Sequence, residues 1–155
     1  MENVKKILFV CTGNSCRSIM AEAYMSKRAP EEGFALEIKS AGTLGINGML
    51  PTKEAFQALS EAGITDKGQY HSKALTEELI NWADMILVME HMHKAQIVHE
   101  VPAAREKVFF LGEFDPDRKG DVSIPDPIGR TMAFYRITFT LIKHSIEELL
   151  KWLKK

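Results

Sequence analysis

The block Cys11-Thr12-Gly13-Asn14-Ser15-Cys16-Arg17-Ser18, set directly after the apolar run Ile7-Leu8-Phe9-Val10, constrains this chain more than any other segment. A thiol and a guanidinium stand at its two ends with five residues between them. So short a loop of small residues can curl until its backbone N–H groups, from Thr12 through Cys16, converge on one point. Gly13 and Asn14 tolerate the left-handed dihedrals that such a curl needs. Arg17 closes the ring with a planar fork suited to an oxyanion. Lys6 to Val10 reads as a buried strand, and beyond the loop Ala21, Tyr24, Met25 and Arg28 recur at helical spacing until Arg28-Ala29-Pro30, where the helix is predicted to end. Strand, anion-type loop and helix therefore follow one another without a break.

The same alternation continues along the chain. Phe34 to Ser40 reads as a second strand, and Ser40-Ala41-Gly42-Thr43 leads into a loop through Gly45, Gly48 and Pro51. Thr52 to Ala62 is a predicted helix with Ala55, Phe56 and Leu59 on one face and Gly63 as its stop. A short helix with a capping signal begins at Thr76, and Asp84 to Met89 is a continuous apolar strand. A helix over 91–98, a fourth strand from Lys107 to Leu111, a Gly/Asp/Pro-rich loop over 112–129 and a helix over 131–153 complete the series. On that last helix Ile142, Ile146, Leu149 and Leu153 make a packing stripe. The prediction is an α/β fold: one doubly wound domain over residues 1–155, with a four-stranded parallel sheet flanked by helices on both faces. In such sheets ligands bind outside the carboxyl ends of the strands, where the Cys11 loop falls.

Composition removes several classes. With 155 residues, 45% hydrophobic and 26% charged, the chain can bury a core and is neither disordered nor fibrous. Its net charge of −1, from 20 basic and 21 acidic residues, carries no basic stripe interleaved with aromatics, so no nucleic-acid partner is expected. No apolar stretch approaches the ~20 residues of a membrane span, and the expectation is a cytoplasmic protein with no membrane partner, a monomer being favoured. Both cysteines, Cys11 and Cys16, lie in the loop, which argues against a disulfide framework and leaves no thiols for a zinc site. His91 and His93, two apart on a helix, point away from each other and make a poor metal pair.

A cysteine beneath converging N–H groups, beside an arginine and a helix N-terminus, is held as a thiolate nucleophile. A phosphate monoester whose non-bridging oxygens rest on those groups puts phosphorus in line with Cys11, and attack gives a phosphocysteine. The leaving group then needs a proton and the water needs a base, so one carboxyl group must serve twice. Asp126, in Ile124-Pro125-Asp126-Pro127-Ile128-Gly129, is the candidate, held stiffly between two prolines. Asp117 or Asp121 is the fallback.

These residues carry a family resemblance. Cys11-x5-Arg17-Ser18, Ser40-Ala41-Gly42-Thr43, His71, the segment from Ala83 to Met89 with His93-Lys94 after it, and Asp126-Pro127 resemble, in order and over nearly the whole chain, the low-molecular-weight protein tyrosine phosphatases. The resemblance implies Cys11 as nucleophile, Arg17 as phosphate ligand, Ser18 as helper of the leaving thiolate and Asp126 as general acid and base. It implies a network of Asn14, Ser40 and His71 supporting the loop, a phosphoprotein substrate, and no metal or organic cofactor.

Departures from the family pattern bear on the substrate. Phosphotyrosine, the first reading, is commonly walled by aromatics where this chain has Ile46 and Ile128. Ser15 stands where many members have an aliphatic residue, and bacterial members resembling protein arginine phosphatases have a threonine there. A hydroxyl at that point can accept a hydrogen bond from a guanidinium leaving group, which makes phosphoarginine the alternative. The segment from Leu75 to Leu79 and Gly120-Asp121-Val122 also resemble that bacterial branch. Ile19 replaces a frequent proline at little cost. Thioredoxin-coupled arsenate reductases share the loop, but their relay needs cysteines downstream of Cys16, and this chain has none. A phosphate-binding module without turnover would gain nothing from a reactive thiolate. Cys16 itself is either core packing or an oxidation partner for Cys11.

Overall fold

The structure is a computed structural model and describes residues 3–65 and 69–155. Strands β1 (Lys6–Cys11), β2 (Glu37–Gly42), β3 (Met85–Val88) and β4 (Val108–Phe110) form one sheet in the order β2-β1-β3-β4. Every pairing is parallel. Around it pack α1 (Arg17–Glu31), α2 (Lys53–Glu61), α3 (Glu77–Trp82), α4 (His91–Glu100) and α5 (Met132–Leu153). This is the doubly wound arrangement expected from the alternation of elements.

Alternation along β1 divides the core. Ile7, Phe9 and Cys11 face a layer built with Met20, Met25, Leu59 and the α5 stripe of Ile142, Ile146, Leu149 and Leu153. Leu8 and Val10 face the opposite layer, with Ile80, Ile86, Val88 and Ile97. A strand buried on both faces must be apolar at every position, which is why Ile7 to Val10 reads as an unbroken hydrophobic run. Thr131 caps α5 by accepting from the Phe134 N–H at 3.3 Å, and Thr52 caps α2 by accepting from Ala55 at 3.2 Å.

Element edges differ from the periodicity where side chains or turns intervene. Phe34 is still tied to the end of α1, its N–H donating to the Ala29 carbonyl at 2.9 Å, so β2 starts at Glu37 and runs on to Gly42 opposite Cys11. Pro30 lies inside the last turn of α1, which ends one residue later at Glu31. Asp84 stands outside β3 because its carboxylate accepts the N–H groups of Lys5 and Lys6, each at 2.9 Å.

With β2 on one side of β1 and β3 on the other, the connections diverge at the carboxyl end of β1 and open a crevice there. Cys11 is the last residue of β1 and Arg17 the first of α1.

Candidate active site

Between β1 and α1 the chain turns through Asn14, whose φ of 53° is the left-handed conformation that asparagine tolerates. Gly13 keeps a negative φ, contrary to expectation, and its service is space: a methyl group added there would stand 3.3 Å from Ser15 Oγ. Gly42 is the tighter point, since a Cβ on it would meet Thr12 O at 2.7 Å and Asn14 N at 2.9 Å. The loop rests on bare backbone. Cys16 precedes α1 without a side-chain cap, and no acidic residue sits in the first turn, so the leading amides of this 15-residue helix face the loop uncompensated.

Polar contacts orient the loop's side chains. Asn14 Nδ2 donates to Ser18 Oγ at 2.6 Å and to Ser40 Oγ at 2.9 Å, while its Oδ1 accepts from the Lys73 N–H at 2.9 Å. Ser18 Oγ, already accepting from Asn14, lies 2.9 Å from Cys11 Sγ and has its own proton free for the sulfur. Ser40 Oγ donates in turn to Glu22 Oε1 at 2.5 Å. Burial pushes the Glu22 carboxyl up, against the opposing pull of Ser40 and Lys73.

Arg17 is 1% exposed. Its Nη1 donates to Glu90 at 2.6 Å and to the Ile124 carbonyl at 2.8 Å, whereas Nη2 has only Thr12 Oγ1 at 3.4 Å and Asp126 Oδ2 at 3.7 Å. Nε is buried and has no hydrogen-bond partner among the described residues. One edge of the fork is thus anchored to protein, and the edge of Nε and Nη2 is left for an oxyanion. Burial works against the guanidinium charge, but Cys11, Glu90 and Asp126 outweigh it and hold Arg17 above its ordinary range.

Glu90 and His93, at the start of α4, form a reciprocal cap in which the Glu90 N–H donates to His93 Nδ1 at 3.1 Å. That leaves the proton of a neutral ring on Nε2, 2.9 Å from Thr12 Oγ1. His93 is 0% exposed, and burial, helped by the Arg17 charge, lowers its pKa to about 4.

Asp126 stands beside Arg17, its Oδ2 3.7 Å from Nη2 and its Oδ1 accepting from the Ile128 N–H at 3.0 Å. Cys16 Sγ is 3.9 Å from the same Oδ1. Burial, then the charges of Cys11 and Asp126, push the Cys16 thiol up, and both cysteines are free. Asp117 is drawn away toward α5, 3.5 Å from His144 Nε2, and Asp121 pairs with Arg118, so neither fallback acid reaches the loop. Thr43 and Leu44 donate to the carbonyls of Cys11 and Thr12, each at 3.0 Å, joining the loop that carries Ile46 to the cradle. Ile46 is exposed in the loop that also exposes Leu44 and Leu50, and Ile128 is exposed in the loop that carries Asp126.

His71 requires a correction. It is exposed and makes no hydrogen bond to the Asn14 network among the described residues; the Lys73 backbone N–H fills that position. Alternation explains it: in the stretch that leads to the bridge between Gly42 and Ala74, Ser72 is buried and its neighbours His71 and Lys73 are exposed. Glu90, His93, Glu22 and the Ile124 carbonyl were not singled out as site residues by sequence reasoning. For Glu90 the available signal was its place just beyond the carboxyl end of an apolar strand.

A nucleophile-bearing strand end, an uncapped helix and an arginine with one open edge define a phosphate-handling α/β enzyme of the cysteine-dependent kind. Residues 6–155 match the low molecular weight phosphotyrosine protein phosphatase family, and the chain belongs to it. It is 40% identical over 149 residues to a protein-arginine-phosphatase of Bacillus subtilis, covering 96% of this chain and 97% of the relative. It is 35% identical over 147 residues to the low molecular weight protein-tyrosine-phosphatase Ptp of Acinetobacter johnsonii, covering 95% and 96%. A solved structure of a YwlE arginine phosphatase mutant with a phosphorylated active-site serine superposes with a TM-score of 0.88 at 38% identity, covering 97% of this chain and 96% of that one.

Proposed function

We propose that this protein is a phosphoprotein phosphatase whose preferred substrate is phosphoarginine, with Cys11, Arg17 and Asp126 performing the reaction. Cys11 Sγ attacks phosphorus in line while Nε and Nη2 of Arg17 and the loop amides hold the three non-bridging oxygens. The bond from phosphorus to the substrate nitrogen breaks, and Asp126 gives that nitrogen its proton. A water then attacks the phosphocysteine, its proton passing to Asp126, and the sulfur departs as a thiolate received by the Ser18 hydroxyl.

The observation that carries the substrate assignment is Ser15, whose hydroxyl stands beside Gly13 in the loop and whose carbonyl is pinned by the Thr52 N–H at 3.0 Å. A hydroxyl there can accept from a guanidinium, and Ile46 and Ile128 supply no aromatic clamp for a phenyl ring. The Bacillus subtilis and Geobacillus stearothermophilus relatives are protein-arginine-phosphatases, at 40% and 37% identity, which supports the same reading. Phosphotyrosine is the second reading, supported by the family's description and the Acinetobacter relative. Comparing kcat/KM on phosphoarginine and phosphotyrosine peptides tests the choice. Ser15→Ile is expected to lower the phosphoarginine value roughly tenfold or more while sparing phosphotyrosine, the usual scale for losing one polar contact. A preference that does not move removes Ser15 as selector.

No described helix is long and apolar enough to cross a membrane. Two free thiols in the reactive loop suit a reducing compartment, and we read the enzyme as cytoplasmic and as one domain over residues 1–155.

A further inference from the structure

Beside β4, at the edge of the sheet farthest from β2, a cavity of about 520 Å³ opens between α4 and the segment that leads into β4. Its volume falls within the ~300–1,000 Å³ of small-molecule sites. His91, Lys94, His99 and Arg105 surround it, Val98 and Phe110 give it an apolar wall, and no carboxylate among the described residues lines it.

Two of these cations differ from the surface cations that carboxylates hold. Arg28 is engaged by Glu31, Glu32 and Glu147, Arg136 by Glu61, and Lys154 by Glu32. Among the described residues, neither the Lys94 ammonium nor the Arg105 guanidinium has an ion-pair or hydrogen-bond partner. The Lys94 ammonium lies over the Phe110 ring instead, 5.5 Å from its centroid, and the His91 ring packs on the same phenyl group at 4.6 Å. Uncompensated cations around an apolar-walled hollow focus a positive potential into it. An aromatic wall adds preference for a flat apolar body, because ring faces and edges pair over such distances.

We propose that this cavity binds a small aromatic anion, a planar ring bearing one strongly acidic group, with the ring against Phe110 and Val98 and the charge met by Lys94 and Arg105. A cation is repelled there. A neutral ring gains the apolar contact but leaves the positive charges unanswered. The site is separate from the Cys11 cradle, so its failure and that of the substrate assignment are distinguishable.

Fluorescence titration with anilinonaphthalene sulfonate, run with the Cys11 loop empty and again with it filled by orthovanadate, tests the proposal. One saturable site is expected, at least tenfold weaker in the Lys94→Gln/Arg105→Gln double variant and at least tenfold weaker for the neutral analogue phenylnaphthylamine. Both substituted residues are surface side chains, and an unchanged Tm checks that the fold is kept. Binding that survives the double substitution, that vanadate displaces, or that the neutral ring matches overturns the proposal.

Discussion

Ser18 accepts one hydrogen bond from Asn14 and therefore has a single proton to give, which the geometry directs at Cys11 Sγ. The sulfur is poised by a neighbour whose own orientation is decided by Asn14, three residues before the helix begins. Cys11→Ser is expected to reduce turnover by roughly 10⁴-fold or more, the scale at which removing a nucleophile is felt, measured by phosphate release. Asp126→Asn keeps oxyanion binding but is expected to cost about 10²–10⁴ in kcat, the range for a lost general acid and base. Vanadate inhibition that weakened in parallel with kcat would show instead that Asp126 serves binding. Glu90 acts one step further out, by gripping Arg17 from the side opposite the proposed phosphate. Glu90→Gln leaves a neutral hydrogen bond where a charged one stood, and a loss of about 2 kcal/mol is expected in urea unfolding, with a higher KM.

At the scale of elements, the cradle depends on the end of one strand touching the loop that follows another. Gly42 closes β2 where a Cβ would collide with the backbone of Thr12, Gly13 and Asn14. Gly42→Ala must displace backbone rather than a flexible side chain, so kcat/KM is expected to fall at least tenfold, a misplacement effect. Equal activity in the two proteins would show that the loop tolerates the shift. Helix α1 makes a complementary contribution: its first turn lacks both a side-chain cap and an acidic residue, an omission that weakens a helix alone but suits one whose N-terminus meets phosphate. In α5 the same sequence logic yields only packing, since its stripe meets the sheet and no ligand.

Across the whole molecule, His93 ties stability to pH. The unfolded chain takes up a proton near the ordinary imidazole value of 6.5, whereas the folded protein resists until about 4 because the ring is buried beside Arg17. Stability from this group is therefore complete above pH 6.5 and declines as pH falls toward 4, by about 3 kcal/mol in all. The ion-paired carboxylates Glu32, Glu61 and Glu147, held below their ordinary 4.5 by Lys154, Arg136 and Arg28 respectively, add their losses only in more acidic solution. Urea unfolding at pH 7.5 and 5 separates them: the parent is expected to lose stability over that interval, and His93→Gln to change much less. An equal slope in both proteins would assign the effect elsewhere.

What the sequence determined by itself was local: an apolar strand buried on both faces, a curled loop with thiol and guanidinium at its ends, a proline-braced Asp126, and the alternation that yields a four-stranded parallel sheet. These follow from side-chain period, turn chemistry and short-range geometry, which neighbours in the chain enforce. Tertiary structure alone decided that Glu90 anchors Arg17 across 73 positions, that Lys73 rather than His71 completes the Asn14 network, and that Asp117 turns to His144 while Asp126 turns to the loop. Such pairings join residues far apart in the chain. Whether a polar side chain meets a partner there depends on which elements pack together, and a one-residue change in strand phase is enough to exchange the inward residue for its neighbour.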